Sequence, residues 1–137
     1  MRALIDTSVV VGGADLADEL PDAVAISVIT VGELRAGVAR ASTDAERDRR
    51  RARMDAVRAA FEPIPVDEHV ANHYGELLAA AREAGRSEKA TDLLIAATAA
   101  ATDRHLITAD RAQARLAESA DIAVRLLGSS PHAASGG

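Results

Sequence analysis

The chain contains no cysteine and no tryptophan, and only one phenylalanine, one tyrosine and one lysine. The lack of cysteine excludes disulfides, thiolate zinc sites and thiol nucleophiles. With so few rings, the core has to rest on aliphatic burial. The 32 alanines point to helices and sheet in close approach rather than to an aromatic cluster. Base stacking needs aromatic platforms, and beyond Phe61 and Tyr74 there are none. No apolar run approaches the roughly 18 to 20 residues that cross a bilayer. Asp6 interrupts the N-terminal Met1-Arg2-Ala3-Leu4-Ile5 too early for a signal peptide. A soluble cytoplasmic protein without a membrane partner is expected. The net charge of −5 argues against binding nucleic acid through bulk positive charge. It does not exclude an enzyme that draws cations to an acidic site, because bound metal inverts the local field.

What is present is one domain's worth of chain, 137 residues with 48% hydrophobic side chains. Short β-branched runs alternate with longer alanine-rich stretches. Strands are expected over 3–5, 23–28, 63–66, 105–108 and 122–127, with the proline-containing 63–66 at a sheet edge. Helices are expected over 31–41, 43–61, 67–84 and 89–102, with another from 111. In 67–84, Val70, Tyr74, Leu77 and Leu78 recur at helical spacing, and Gly85 stops the pattern. Such alternation predicts an α/β fold, a three-layer α/β/α sandwich around a central, mostly parallel sheet. Residues 1–127 read as one domain and 128–137, GSSPHAASGG, as a disordered tail.

Four acids stand at the junctions of this pattern. Asp6 follows the first strand, and Glu33 lies near the start of the helix after the second. Asp92 opens the apolar run Leu93-Leu94-Ile95-Ala96-Ala97, and Asp110 follows the strand ending at Thr108. In a parallel sheet the carboxyl ends of the strands share one edge, where ligands bind. Taken singly, each acid has a structural explanation. Thr30-Val31-Gly32-Glu33 has the form of a capping box, and Asp110-Arg111-Ala112-Gln113 reads as a similar cap. Asp92 suits the positive end of a helix, and Asp6 could cap whatever follows it. Taken together, they say more. No cation adjoins Asp6 or Asp92, and carboxylates crowded on one edge repel one another unless a cation binds. Oxygen-only ligands suit Mg²⁺ or Mn²⁺, which tolerate water and phosphate in their shell. That combination points to phosphodiester hydrolysis.

At these same residues the chain resembles the PIN domain, specifically the VapC-type toxins of bacterial toxin–antitoxin pairs. The matching segments are Leu4-Ile5-Asp6-Thr7-Ser8-Val9 and Ile29-Thr30-Val31-Gly32-Glu33-Leu34-Arg35-Ala36-Gly37. They continue with Thr91-Asp92-Leu93-Leu94-Ile95-Ala96-Ala97-Thr98-Ala99 and Leu106-Ile107-Thr108-Ala109-Asp110. The resemblance implies a PIN-like fold and an Mg²⁺- or Mn²⁺-dependent endoribonuclease. Asp6, Glu33, Asp92 and Asp110 would form its acidic catalytic quartet. Asp6, Asp92 and Asp110 would hold metal, and Glu33 would ligate it or orient the attacking water. Thr7, Ser8 and Thr108 would lie beside the metal or the substrate phosphate. The resemblance also implies a homodimer and a cognate VapB-type antitoxin. Many relatives carry an aromatic residue shortly after the last acid, whereas this chain reads Arg111-Ala112-Gln113-Ala114-Arg115.

Other charged residues carry weaker signals. Arg86 and Lys89, just before Asp92, are placed to meet the backbone of an RNA substrate. Arg47, Arg49, Arg50, Arg51, Arg53 and Arg58 form the one dense basic stretch. It is either a phosphate-steering surface or a solvated helix balanced by Asp44, Glu46, Asp48 and Asp55. His69, His73, His105 and His132 have no ligand spacing with the acids. A receiver-like phospho-acceptor domain would also gather acids on a sheet edge, but it wants a lysine after a late strand. The one lysine, Lys89, precedes the Asp92 helix instead. A binding module with four capping acids is the other rival. It would lose about 1 kcal/mol per cap removed, and no reaction.

Overall fold

The computed structural model describes residues 2–12, 20–21 and 23–128. Residues 129–137 of the expected tail lie outside that set. In chain order the elements are β1 (Arg2–Ile5), α1 (Thr7–Val11), β2 (Ala23–Ser27), α2 (Val28–Ala39), α3 (Asp44–Ala60) and β3 (Glu62–Ile64). They continue as α4 (Glu68–Glu83), α5 (Ala90–Ala101), β4 (His105–Thr108), α6 (Arg111–Ser119) and β5 (Val124–Leu126). The five strands form one sheet in the order β3-β2-β1-β4-β5, and every pairing is parallel. The chain builds outward from β1 through β2 to β3, then returns to place β4 on β1's other side. The adjacent strands β1 and β4 therefore flank a topological switch point, where a crevice opens at their carboxyl ends.

Alternation along the central strands explains the layers. Ala3 and Ile5 of β1 face one core with Ile107 of β4, Ile26 of β2, Leu34 and Val38 of α2, and Met54 and Val57 of α3. Leu4 and Leu106 face the opposite core, with Leu93, Ile95, Ala96 and Ala99 of α5 and Leu116 and Ala117 of α6. A sheet covered on both faces must be apolar on both, and its central strands are. Ala96, Ala97, Ala99 and Ala117 are fully buried, so the expected close, alanine-lined approach of helices is observed in this layer.

Several boundaries differ from the sequence expectation, among them the last strand, which is Val124–Leu126 rather than 122–127. Residues 7–11 form α1, a short helix that Thr7-Ser8-Val9-Val10-Val11, four of them β-branched, does not announce. Helix α2 starts at Val28 rather than 31, capped by Ser27 Oγ, which accepts from the Ile29 N–H at 3.0 Å. Edge strand β3 is Glu62–Ile64 and ends ahead of Pro65, where a missing N–H terminates the ladder.

Helices α4, α5 and α6 all end in the same left-handed turn. After α4, Gly85 adopts φ 70°, with its N–H bonded to Arg82 O and the Arg86 N–H to Ala81 O. The same paired bonds follow α5 and α6, but there the left-handed residues are Asp103 (φ 52°) and Asp121 (φ 58°). An aspartate tolerates this conformation less well than glycine, and its charge faces the negative end of the helix dipole. Asp121→Gly should therefore raise stability by about 0.5–1 kcal/mol, measured by urea unfolding. A fall in stability would show that Asp121 makes a compensating contact.

Candidate active site

Asp6 immediately follows β1, and its backbone N–H bonds to Ile107 O at 3.1 Å, extending the β1–β4 ladder by one residue. Its side chain is 5% exposed. It stands at the N-terminal cap position of α1 but makes no capping bond with its carboxylate. Both oxygens are taken by hydroxyls instead. Ser8 Oγ donates to Oδ1 at 2.6 Å, and Thr108 Oγ1, from the end of β4, donates to Oδ2 at 2.5 Å. Those hydroxyls are themselves oriented by backbone donors: the Ala109 N–H bonds to Ser8 Oγ at 2.9 Å and the Asp110 N–H to Thr108 Oγ1 at 3.0 Å. Asp6 is thus clamped across the switch point by groups that can only donate to it.

Glu33 is not part of a capping box. Because α2 begins at Val28, Thr30 lies inside the helix, fully buried, and has no free helix end to cap. Glu33 sits half-buried in the second turn, and Thr7 Oγ1 donates to its Oε1 at 2.6 Å while also lying 3.0 Å from Thr30 Oγ1. Thr7, Ser8 and Thr108 therefore all direct their hydroxyls at site carboxylates or at one another.

Asp92 lies in the first turn of α5, half-buried, where the helix dipole favours its charge. Asp110 does cap α6, as its sequence setting suggests. Its Oδ1 accepts from the N–H groups of Ala112 at 2.8 Å and Gln113 at 3.4 Å. The capping box is nonetheless incomplete, because the Gln113 side chain does not return to Asp110. Its Nε2 donates to the Asp92 carbonyl oxygen at 3.0 Å. Sequence reasoning assigned Gln113 only to a cap; its spacing from Asp110 was visible, but its bond across to α5 was not.

The four acids interact electrostatically. Burial is the largest influence on Asp6 and raises its pKa, opposed by the Ser8 and Thr108 hydroxyls and the Val9 N–H and reinforced by the charge of Asp110. Asp92 is also raised, first by burial and then by Asp110, with Glu33 and Asp6 adding to it and Lys89 opposing. Among the described residues no three Asp, Glu or His side chains are already arranged to hold a metal ion. The donor set nevertheless fits a hard divalent cation. It is all oxygen, and burial together with neighbouring carboxylate charge raises Asp6 and Asp92, a cost that a bound cation would offset. Both cap bonds of Asp110 go to Oδ1, which leaves Oδ2 free of them.

The flanking cations are less uniformly placed. Lys89 is exposed one residue before α5 and interacts with Asp92. Arg86 reaches Ser119 at the far end of α6 at 3.4 Å and Glu88 at 3.7 Å. On α3, Arg47 pairs with Asp44 at 2.9 Å and Arg50 with Glu46 at 2.5 Å, so the basic stretch is partly balanced along its own helix. Arg50 and Arg53 also line a cleft of about 270 Å³ beside Glu33, floored by Val11, Leu34 and Gly37. His69 and His73 meet edge to face, with ring centroids 5.0 Å apart.

A parallel sheet with acids gathered at its switch point is the arrangement of the PIN domain, and the chain belongs to that family: the family model matches residues 3–119. Within it, the chain groups with the VapC ribonucleases. It is 46% identical over 101 residues to Ribonuclease VapC8 of Mycobacterium tuberculosis, covering 70% of this chain and 88% of that protein. It is 40% identical to Ribonuclease VapC5 of the same organism over 111 residues, covering 78% of this chain and 82% of the relative. Among solved structures it superimposes on the M. tuberculosis VapBC-5 complex, of the VapBC family of toxin-antitoxin systems. There the TM-score is 0.82 at 36% identity, covering 92% of this chain and 98% of the other.

The raised pKa of Asp92 has a consequence for stability. In the unfolded chain its carboxyl titrates near 3.8, and in the folded chain it titrates higher. Between those values the folded state binds more protons, so the ionised side chain opposes folding at neutral pH. That opposition fades as pH falls through the folded pKa and is gone below both values. In chelator, Asp92→Asn should melt above the wild type at neutral pH, and the gap should narrow as pH falls through the folded pKa and close only below about pH 4. Equal melting temperatures at neutral pH would contradict the assigned crowding.

Proposed function

We propose that the chain is a divalent-metal-dependent endoribonuclease, the toxin of a type II toxin–antitoxin pair, whose site is the quartet Asp6, Glu33, Asp92 and Asp110. The observation that carries this reading is the clamping of Asp6 by Ser8 and Thr108 at the β1–β4 switch point, within the electrostatic reach of Asp110 and Asp92.

Asp6, Asp92 and Asp110 would hold Mg²⁺ or Mn²⁺, which supplies positive charge beside the scissile phosphate. Ser8 and Thr108 keep Asp6 oriented with both of its oxygens defined. Glu33, steadied through Oε1 by Thr7, presents its second oxygen to the attacking water. In the step assigned to it, the water oxygen bonds to phosphorus, its proton passes to Glu33, and the phosphorus bond to the leaving ribose oxygen breaks. That oxygen takes a proton from solvent. Lys89 and the Arg50–Arg53 side of the cleft offer positive charge along the approach of the polyanion. With so few aromatic side chains, the RNA would be recognised by shape and phosphate rather than by stacked bases. The VapBC complex to which the chain is similar supports a VapB-type antitoxin as its partner.

Cleavage of RNA by the purified chain should vanish in chelator and return with Mn²⁺ or Mg²⁺. Asp6→Asn should fold normally and cleave more than about 100-fold more slowly, as expected when a ligand is lost. Wild-type cleavage by a folded Asp6→Asn protein would overturn the assignment. Activity should also decline on acidification, as the site must be ionised to bind metal. Because Asp6 and Asp92 are both raised, that decline should begin above the pH range of ordinary carboxylates.

A further inference from the structure

Gln113 has no role in the chemistry above, yet its setting is unusual. It stands in the first turn of α6 and is 2% exposed. Through its side-chain Nε2 it holds the Asp92 carbonyl at 3.0 Å, and through its backbone N–H it approaches Asp110 Oδ1 at 3.4 Å. One residue is therefore bonded to both of the aspartates that open α5 and α6. The remaining oxygen, Oε1, is buried and has no partner among the described residues. As packing alone, an amide is a poor choice here. An apolar side chain of similar size would fill the space without burying an unsatisfied acceptor.

What the amide supplies is direction. The rest of the α5–α6 contact is aliphatic, with Leu93 and Ala96 in one cluster with Leu116 and Ala117. Apolar contacts of this kind set the distance between two helices but are non-directional, so they leave sliding along the axes weakly defined. A hydrogen bond has a narrow range of length and angle. Placed at the helix starts, it fixes the axial offset where Asp92 and Asp110 project.

We propose that Gln113 is a positioning residue: its amide ties the first turn of α5 to the first turn of α6 and so sets the spacing of the Asp92 and Asp110 carboxylates for a divalent cation. The inference rests on the metal-binding reading of the quartet. It assigns the unsatisfied oxygen to a site where geometry is held at the expense of stability, so that binding and stability should respond in opposite directions.

The test is calorimetric titration of Mn²⁺ into the full chain as wild type, Gln113→Met, Gln113→Leu and Asp6→Asn, with thermal melting of each in chelator. Gln113→Met keeps the side chain's length without the amide. Both Gln113 variants should melt at or above the wild type without metal, yet bind Mn²⁺ about 10-fold more weakly, the range typical of groups that orient ligands. RNA cleavage should show the loss in kcat at saturating Mn²⁺ with KM for RNA little changed. Wild-type Mn²⁺ affinity in both variants would overturn the proposal while leaving the metal site intact. Loss of folding or a lowered melting temperature in both would also overturn it, by making Gln113 an ordinary core residue. If the wild type bound no Mn²⁺ that Asp6→Asn removes, the metal-binding reading and this proposal would fall together.

Discussion

Like charges gathered at one edge of a sheet repel, and much of this molecule is arranged around that repulsion. Each carboxylate is met by a hydrogen-bond donor or a helix start: hydroxyl donors for Asp6, the Thr7 hydroxyl for Glu33, a helix start for Asp92, and the capping N–H groups of α6 for Asp110. Three helices, α1, α5 and α6, begin within two residues of one of the aspartates. The compensation is incomplete, since burial still raises Asp6 and Asp92. A site left short of positive charge in this way favours the binding of a cation, and it opposes folding until one is bound.

The fold makes the gathering possible without long loops. Placing β4 beside β1 brings residues about a hundred positions apart in sequence into hydrogen-bond contact, as the Ser8–Thr108 and Asp6–Thr108 pairs show. The two apolar cores on either face then hold the strands rigidly. Short alanine side chains on α5 let that helix lie deep against the sheet, so that Asp92 emerges at the strand ends. Stability is concentrated in the layers, and strain and unsatisfied groups lie nearer their margins: at the Asp103 and Asp121 turns on the amino side and at Gln113 on the carboxyl side.

The sequence pattern made the layers and the four acids legible because both depend on local periodicity and order. The alternating strand–helix rhythm, the edge position of the proline strand and the glycine stop after α4 all follow from backbone chemistry that acts over a few residues. Helix α1 was hidden because five residues, three of them valine, are too few to show a helical period. The start of α2 was misplaced because Ser27 and Thr30 are both acceptable caps; burial of Thr30 decides between them, and burial is a tertiary property. The turn of Arg86 toward Ser119 and the bond from Gln113 to Asp92 join segments distant in sequence, which spacing cannot reveal. The spacing of Gln113 from Asp110 is visible in the sequence as a cap, but its bond to α5 depends on the neighbouring helix.

On the proposed reading Asp6, Asp92 and Asp110 share a divalent cation at the β1–β4 switch point, and anomalous diffraction from crystals soaked in Mn²⁺ tests this. A manganese peak bounded by those three carboxylates is expected in the wild type, with none there in Asp6→Asn crystals treated identically. A peak elsewhere, or one at the quartet that persists undiminished in Asp6→Asn, would contradict it.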